Sequence, residues 1–431
     1  MPRRNLLILL AISIIALICY QKVQINQYGR ILADSLEIID RMALEKVDPE
    51  ALFEGAMDGM VGRLDEYSSY IPPKALPEFE ETIDQQFGGV GMEVAIDPKT
   101  RQMTVVSPLP GSPAYEAGVR AGDKILRIGE FSTQGMSVKD AVSLMRGKPG
   151  YPITITILHP GEEKPLDIKI VRAVIQVDTV LGDTRNPDGT WNYFLAGADR
   201  VGYLRITCFA EKTVDQVKQA VQWLADHEMK GLILDLRDNP GGLFPVAQAI
   251  CDLFISSGTI VTTRGRDGRI LDTRQASGKG PFTKFPLVVL VNQYSASAAE
   301  VMAACLQDHS RAVIVGQRTW GKGTVQQVIE LDNQRGALKL TTASYWRPNN
   351  QNIHRRAEAG ENEDWGVRPD QGYEVTMEGD ELTRLRIWRM HRDLSKGPEG
   401  TPNAKKADNF VDRQLAKALE ACLALLKANH H

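Results

Sequence analysis

Short apolar runs alternate with a segment of helical periodicity in the second half of the chain. Residues 202–206, 231–236, Leu287–Val291 and 312–315 are each short and mainly apolar, as is typical of strands buried on both faces of a parallel sheet. Between the first two, residues 213–227 place apolar side chains three or four positions apart, which predicts an amphipathic helix. Strands that alternate with helices indicate βαβ units, and therefore an α/β fold.

One βαβ unit carries a serine where its strand gives way to its helix. Turn-forming residues follow the run Leu287–Val291, and Ser297 begins the helical stretch. A hydroxyl at that point lies beside exposed backbone N–H groups and the positive end of the helix dipole. Lys322 follows between two glycines, which allow backbone and substrate to approach closely. A serine with a lysine is one of the known nucleophiles for acyl transfer.

A lysine activates a serine only in its neutral form, and this constrains its surroundings. The lysine pKa must fall from ~10.4 toward neutrality, and a fall of about three units costs roughly 4 kcal/mol. Residues 319–324 contain no acid that would keep the amine charged. Gln326 can accept a hydrogen bond from the amine and aim it. The alternative interpretation is a surface lysine in a glycine turn and a serine that only caps a helix.

The same residues resemble the motifs of a known family. S-A-S-A-A-E at residues 295–300 and G-K-G at residues 321–323 are similar to motifs of the carboxyl-terminal processing proteases, the tail-specific serine proteases of peptidase family S41. The family's serine falls on Ser297, its lysine base 25 positions later on Lys322 (322 − 297 = 25), and its supporting glutamine on Gln326. The resemblance implies a crotonase-like α/β protease core that needs no metal or cofactor.

A glycine-containing loop follows the second predicted strand. Residues 237–242 resemble the family's R-x-N-x-G-G signature, and two glycines free the backbone to point amides into a cavity. Gly241 or Gly242, together with the Ala298 amide, is therefore the candidate oxyanion hole, in which one donor contributes roughly 3–4 kcal/mol. The alternative is a turn that only caps the next helix. Arg237 is expected either to anchor this loop or to be a solvated charge at a strand end.

Residues 87–173 resemble a PDZ domain. A glycine loop in front of a strand resembles the loop whose backbone N–H groups hold the terminal carboxylate of a peptide, and residues 121–128 resemble the module's G-D-x-I-L-x-I strand. Residues 137–145 have helical spacing and would line the groove, although plain core packing is the alternative for the apolar side chains there. The predicted peptide-binding residues are Gly89, Val90, Gly91, Met92, Val142 and Met145.

The N-terminus is typical of an export signal. Arg3 and Arg4 precede a nearly unbroken apolar run at residues 6–19, and no small-x-small cleavage site follows it. The first expectation is an uncleaved signal anchor at residues 1–22, which holds the protein on the inner or cell membrane, facing the periplasm or the extracytoplasmic side. The alternative is a cleaved signal peptide and a secreted periplasmic protein.

The remaining organisation follows from these segments. A helical N-terminal region is predicted at residues 23–86, the PDZ domain at 87–173, the serine protease core at 174–390, and a linker with a C-terminal helix at 391–431. In relatives the N-terminal region can mediate dimers, which makes a homodimer or higher homo-oligomer a candidate here. The alternative is an amphipathic scaffold helix without a partner.

Composition excludes several classes of protein. The 431 residues carry a net charge of −3 with mixed signs, so nothing points to nucleic acid. The five cysteines are widely spaced, with neither C-x-x-C nor H-E-x-x-H in the chain, so no metal site is predicted. His309 lies near the serine in sequence, but it stands at a predicted helix end and is rejected as the base.

The sequence therefore predicts a serine endopeptidase that cleaves exported proteins recognised by apolar C-terminal tails through the PDZ domain. One rival is a peptide-binding scaffold with a catalytically silent core, which the presence of Ser297, Lys322 and Gln326 disfavours. A second rival is an acyl-CoA enzyme on the same general core. The PDZ domain and the predicted export disfavour it.

Overall fold

The chain divides into two compact units. The computed structural model describes residues 5, 10, 12–14, 27–84, 86–97, 100–109, 111–186, 189–331, 335–360, 362–393 and 410–428. The first unit comprises Met1–Leu76 and Gln326–Thr341, and the second comprises Pro77–Val325 and Thr342–His431.

From residue 27 onward, the described part of the first unit contains two helices and antiparallel strands. Helix α1 (Gln27–Met42) buries none of its residues, whereas α2 (Pro49–Val61) packs one side inward. Strand β1 (Ser69–Ile71) pairs antiparallel with the first residues of β20 (Ala337–Trp346), and β19 (Thr324–Glu330) also pairs with β20. The range 23–86 was predicted to be helical, so β1 is a correction. Its short sequence has no signal beyond local β propensity, and its pairing partner lies far along the chain.

A small apolar cluster holds this unit together. Met57, Val61 and Tyr70 are buried in it, and the Tyr70 hydroxyl donates to the Arg335 carbonyl at 2.8 Å. The ring of Phe53 meets that of Tyr70 edge-on, with centroids 6.1 Å apart. Among the described residues of this unit, none buries a residue of α1, and its apolar side is exposed.

The second unit begins with the predicted PDZ domain. Its sheet has the strand order β3–β4–β5–β7–β8, with β6 on β5, and the strand before it, β2, pairs antiparallel with β9. A buried apolar cluster fills the space between this sheet and its helices. The elements are α3 (Leu76–Asp84), β2 (Gln86–Gly89), β3 (Met92–Ile96), β4 (Met103–Pro108), α4 (Pro113–Glu116), β5 (Lys124–Ile128), β6 (Phe131–Ser132), α5 (Val138–Met145), β7 (Pro152–Leu158), β8 (Leu166–Val171) and β9 (Ala173–Gln176).

A second sheet carries the candidate active site. Its order is β10–β13–β14–β17–β18, in which the last four strands are parallel and β10 is an antiparallel edge. A hairpin of β11 and β12 and the antiparallel pair β15 and β16 accompany it, and residues 344–346 of β20 pair with β15. The elements are β10 (Val180–Leu181), β11 (Thr184–Arg185), β12 (Trp191–Asn192), β13 (Val201–Ile206), α6 (Thr213–Asp226), β14 (Gly231–Asp235), α7 (Phe244–Phe254), β15 (Thr259–Arg264), β16 (Ile270–Gln275), β17 (Leu287–Val291), α8 (Ala298–Asp308) and β18 (Val313–Gly316).

Helices cover both faces of the parallel sheet. Because successive side chains of a strand point to opposite faces, Val289 packs with α6, α7 and α8, whereas Val288 packs with the C-terminal helix α10 (Arg413–Ala428). Burial on both faces explains why Leu287–Val291 contains only apolar residues. The predicted α/β fold class, with a PDZ domain and helical segments at both ends, is confirmed.

The parallel order brings two loops to one edge of the sheet. Strands β14 and β17 are neighbours, so the loops after their carboxyl ends lie side by side, and each leads into a helix. Crevices at this edge of open α/β sheets are where ligands bind. The loop after β14 contains the glycines, and the loop after β17 ends at Ser297.

A helix that was not predicted, α9 (Gly379–Asp393), precedes the C-terminal helix. Most of the predicted linker, the first part of residues 391–431, lies outside the described residues, as does most of the predicted anchor at residues 1–22. Among the residues that the structure does describe, no helix is long and apolar enough to cross a membrane.

Candidate active site

Ser297 stands at the N-cap of α8 in an unusual backbone conformation. Its φ of 54° and ψ of −114° lie in a region that non-glycine residues rarely occupy. Ser295 holds the preceding turn, because its Oγ donates to the Leu236 carbonyl at 2.7 Å and accepts from the Asn292 N–H at 2.9 Å. The fold therefore holds Ser297 in a conformation that costs energy, as is common for residues at functional sites.

Glu300, one turn into α8, connects the serine to the lysine. Its side chain is completely buried. Oε2 accepts from the backbone N–H groups of Ser297 and Lys322, both at 2.8 Å. Oε1 accepts from the Gly321 N–H at 2.6 Å and from the Thr319 hydroxyl at 2.5 Å. One carboxylate thus fixes the backbone of Ser297 relative to that of Lys322.

The protonation of Glu300 reflects two opposing effects. Burial away from water raises the pKa of its carboxyl to about 7, while the hydrogen bonds from Thr319, Gly321, Ser297 and Lys322 favour the ionised form and oppose that rise. Three of the four donors are backbone N–H groups, which cannot accept a proton in return. The ionised form therefore fits the donor arrangement, and protonation removes an acceptor from it.

The glycines beside Lys322 are required by close contacts. A Cβ on Gly323 would lie 2.1 Å from the His354 nitrogen, and one on Gly321, whose φ is 88°, would lie 2.6 Å from the Arg355 Cβ. The Trp320 N–H donates to the Ser295 carbonyl at 3.0 Å, which joins the lysine loop to the serine loop a second time. Lys322 itself is partly buried.

The loop after β14 lies against the serine. A Cβ on Gly241 would be 2.9 Å from the Ser297 Cβ and 3.1 Å from the Ala298 nitrogen. The Gly241 N–H donates to Asn239 Oδ1 at 2.8 Å, so this amide already has an acceptor. Gly242 packs beside Phe209, whose carbonyl oxygen would lie 2.4 Å from an added Cβ. Both glycines have positive φ, 105° and 138°. Their role as oxyanion donors stays a prediction.

Gln326 belongs to the first unit. Its side chain is partly buried, and Nε2 donates to Thr341 Oγ1 at 3.2 Å. The Thr341 hydroxyl in turn donates to Asp65 Oδ1 at 3.0 Å. The predicted role of Gln326 stays a prediction.

The predicted carboxylate loop joins β2 to β3. Gly89 ends β2 and Met92 begins β3, and the Gly91 carbonyl between them accepts from the Ser112 hydroxyl at 2.6 Å. Gly91 has a φ of 76° and no room for a side chain, because an added Cβ would lie 2.3 Å from that of Ser112. Val90 is buried in the apolar cluster of the domain.

The predicted groove residues lie on α5. Met145 is buried in the apolar cluster of the PDZ domain, and Val142 is partly buried and packs against that cluster. Both positions thus contribute to the core, which was the alternative interpretation. Their contact with a peptide stays a prediction.

Neither a metal nor a histidine base is evident in the described parts of the chain. No group of three or more His, Cys, Asp or Glu side chains there could hold a metal ion. His309 follows the end of α8, and its Nε2 lies 2.7 Å from the Thr259 carbonyl oxygen. That contact gives His309 a structural role, in line with its rejection as the base.

Two family profiles and several known proteins match this chain. The profile of peptidase family S41 matches residues 200–372, and that of the PDZ domain matches residues 104–158. A carboxy-terminal-processing protease of Bartonella bacilliformis is 38% identical over 90% of this chain and 86% of its own. This chain belongs to the carboxy-terminal processing proteases. These S41 enzymes are serine peptidases.

Two further proteins are similar to this chain. The carboxy-terminal processing protease CtpA of Bacillus subtilis is 34% identical, over 85% of this chain and 72% of its own. A solved structure of a photosystem II D1 C-terminal processing protease is 27% identical, over 81% of this chain and 93% of its own, with a TM-score of 0.46.

Several residues that build the site were not predicted from the sequence. Glu300 lies in the serine motif but has no predicted role, although a glutamate three residues after a serine at a helix start is the signature of a capping box. Asn292 and Ser295 link the two loops through side-chain hydrogen bonds, and the Asn239 side chain holds the glycine loop by accepting from the Gly241 N–H. Asn239 and Ser295 lie within the two predicted motifs, but their contacts with Ile206 and Leu236 could not be predicted because these partners are distant in the chain.

Proposed function

We propose that this carboxy-terminal processing protease uses Ser297 as its nucleophile and Lys322 as the general base, with Gln326 orienting the lysine. The observation that carries the proposal is the shared carboxylate of Glu300, which binds the backbone N–H groups of both residues at 2.8 Å. A strained serine at a helix start and a lysine loop without an acidic neighbour in sequence provide the chemistry that acyl transfer needs.

The reaction follows from these roles. Neutral Lys322 takes the proton of the Ser297 hydroxyl while the serine oxygen attacks the carbonyl carbon of the scissile peptide bond. The Ala298 amide, with Gly241 or Gly242, stabilises the oxyanion. The protonated lysine then gives its proton to the leaving amine, and the acyl-enzyme forms. Water, deprotonated by the same lysine, hydrolyses that ester and releases the new C-terminus.

We propose that the PDZ domain recognises the C-terminal tail of the substrate. The loop Gly89–Val90–Gly91–Met92 would hold the terminal carboxylate of a substrate tail, while Val142 and Met145 contact its apolar side chains. The support is the match of a PDZ profile to residues 104–158 and the position of this loop in front of β3. The domain would deliver exported proteins with apolar C-termini to Ser297.

The N-terminal segments would set the location and the assembly of the enzyme. We propose an exported enzyme, tethered by residues 1–22 to the inner or cell membrane with its catalytic unit on the periplasmic or extracytoplasmic side. Loss of the segment by cleavage, which would give a secreted periplasmic form, is the alternative. The exposed apolar side of α1 supports a homodimer formed through the N-terminal region.

Cleavage of an unfolded protein with an apolar C-terminal tail tests the function. We expect the soluble protein, residues 23–431, to cut this substrate, and to cut it more slowly when the tail ends in charged residues. Ser297→Ala is expected to abolish cleavage while tail binding persists. Ser310→Ala, at an exposed serine after the same helix, is the matched control and is expected to cut like the wild type.

Two results would redirect the proposal. Tail binding without cleavage, under all conditions in which the wild type is folded, would favour the peptide-binding scaffold. Cleavage that is indifferent to the tail would leave the protease and remove the recognition role of the PDZ domain.

A further inference from the structure

Five charged side chains meet beneath the glycine loop of the active site. Asp235 ends strand β14, Arg237 and Asp238 follow it, Arg389 comes from α9, and Asp412 directly precedes α10. Arg237 is only 2% exposed and Arg389 only 6%, and Asp235 is completely buried. We call this group the C-terminal clamp, since two of its members come from α9 and from the residue before α10.

Arg237 is the centre of the clamp. Its Nη1 and Nη2 donate to the two carboxylate oxygens of Asp412 at 2.9 and 2.8 Å, which is the bidentate geometry that suits a guanidinium. Its Nε and Nη2 also donate to Asp235, the latter at 2.7 Å. The guanidinium therefore bridges the strand that precedes the glycine loop and the residue that begins the last helix.

Arg389 makes a second bridge. Its Nη2 donates to Asp235 Oδ2 at 2.6 Å, and its Nη1 donates to Asp238 Oδ2 at 3.2 Å. Arg386, from the same helix, donates to the other oxygen of Asp238 at 2.8 Å. Asp238 has a φ of 60°, a left-handed conformation, so two arginines of α9 hold the first bend of the loop in place.

The loop transmits this constraint to the catalytic serine. The Asp238 N–H donates to Asn292 Oδ1 at 2.9 Å, and the Ala296 N–H donates to the Asn239 carbonyl at 2.9 Å. Asn239 Oδ1 fixes the Gly241 amide, and Gly241 lies against Ser297. An unbroken series of hydrogen bonds thus runs from the C-terminal helices to the backbone beside the serine.

The free energy of burying charges indicates that the clamp fixes the position of the glycine loop and adds little to the stability of the fold. A buried ion network contributes little net stability compared with apolar packing, because removing charges from water is costly. Although burial opposes ionisation of Asp235, the guanidinium groups of Arg237 and Arg389 hold the pKa of this carboxyl below its usual range. Loss of one member therefore leaves its partner charged and buried, and the loop that they hold must shift.

We propose that Arg389 and Asp412 are positioning residues of the protease, acting through Arg237 and Asp238 to hold the glycine loop beside Ser297. Both lie beyond the segment matched by the S41 profile, which ends at residue 372. The proposal rests on the proposed function only in assigning the loop to the reaction. The C-terminal helices are then part of the catalytic framework.

Asp412→Asn and Arg389→Met test the proposal. A displacement of a catalytic group by about 1 Å costs on the order of 100-fold in rate, so we expect kcat per active site to fall about 10- to 100-fold while KM changes little. The matched control is Glu381→Gln, which removes the exposed pair between Glu381 and Arg413, at 2.6 and 2.7 Å, from the same two helices. We expect its kcat to equal that of the wild type.

Hydrogen exchange of the folded proteins gives a readout that needs no activity. In both clamp variants the amides of residues 236–239 and 241–243 are expected to exchange about tenfold faster than in the wild type, while those of the central strand β17 stay protected. Unchanged exchange in a folded Asp412→Asn protein would overturn the proposal, whether or not the wild type cleaves. Failure of the wild type to cleave would count against the proposed function alone.

Asp412→Glu covers the case in which the neutral variant does not fold. This change keeps the charge but adds one methylene, so the two carboxylate oxygens no longer lie opposite the two Nη donors of Arg237. We expect a folded protein with reduced kcat and faster loop exchange. Wild-type kcat and wild-type exchange in this variant would show that the clamp serves folding only.

Discussion

One oxygen of the Glu300 carboxylate accepts a hydrogen bond from the backbone N–H of Lys322 at 2.8 Å. The same oxygen accepts from the Ser297 N–H, and the other oxygen accepts from the Gly321 N–H. The carboxylate is thus the acceptor for three backbone N–H groups of the two loops. Ser297 and Lys322 lie 25 positions apart in sequence (322 − 297 = 25), and this buried group fixes their backbones relative to each other. Glu300 is thereby a positioning residue of the proposed dyad.

Glu300→Gln is expected to abolish most of the activity. A glutamine has one accepting oxygen, so its NH₂ group must face either the pair Ser297 and Lys322 or the pair Gly321 and Thr319. We expect kcat to fall by roughly 100-fold as the loops separate, with tail binding to the PDZ domain unchanged. Steady-state cleavage and tail titration of the same samples measure both quantities.

Glu228→Gln provides the control for this prediction. It makes the same isosteric change at a glutamate whose side chain is 85% exposed. Wild-type kcat in Glu300→Gln would mean that the carboxylate does not position the site.

The stability of the wild type is expected to depend on pH through Glu300. Burial raises the pKa of the folded carboxyl from 4.5 to about 7, so the folded protein binds more protons than the unfolded chain between these values. The free energy of unfolding of the wild type minus that of Glu300→Gln should be largest below pH 4.5. This difference should decrease as the pH rises to 7. The shift of about 2.5 units corresponds to roughly 3 kcal/mol. Urea unfolding of both proteins across this range is the measurement, and a constant difference would contradict the raised pKa.

Gly241→Ala is expected to inactivate the enzyme through a steric conflict. The new Cβ would lie 2.9 Å from both the Ala296 oxygen and the Ser297 Cβ, so the serine loop must move. Gly268→Ala is the matched control, because Gly268 also has a positive φ, 74°, but has no heavy atom within 4 Å of an added Cβ. Both changes should cost about 1 kcal/mol of backbone strain, and only the first should reduce kcat. Equal activity of the two variants would show that the glycine loop is not near the reacting atoms.

The exposed face of α1 predicts a concentration-dependent dimer. Ile31, Ile38 and Ile39 are exposed on one side of a helix that buries none of its residues. We expect Ile38→Glu to weaken self-association by more than tenfold in sedimentation equilibrium, since a charge would have to be buried in the interface. Glu37→Ala, on the opposite face, should associate like the wild type. A wild type that stays monomeric at high concentration would contradict the dimer.

The sequence predicted the elements that have local signals. Strand β17 has the predicted limits, Leu287–Val291, because a strand buried on both faces is apolar throughout. Helix α6 begins at its predicted start, residue 213, and helix α10 lies within the predicted C-terminal segment, since each has one apolar face. The motifs around Ser297, Lys322 and the glycine loop could be recognised in the sequence because each is compact, and their catalytic roles stay predictions.

The features that escaped prediction depend on distant partners. Helix α9 has four arginines among its 15 residues and little apolar periodicity, and three of these arginines pair with the distant acids Asp183, Asp235 and Asp238. Asp235 itself ends a strand whose other residues are glycine, leucine and isoleucine. A buried charge network is specified by residues more than 150 positions apart, and a local pattern cannot reveal it.

The most direct measurement of the dyad is the covalent labelling of the nucleophile. A peptidyl diaryl phosphonate reacts when a serine oxygen displaces one aryloxide from phosphorus, and mass spectrometry of the digested protein locates the adduct. We expect a single adduct on Ser297 in the wild type and in Lys284→Ala, a control at an exposed lysine, and labelling at least 100-fold slower in folded Lys322→Ala. Labelling at another residue, or an equal rate without Lys322, would contradict the Ser297–Lys322 dyad.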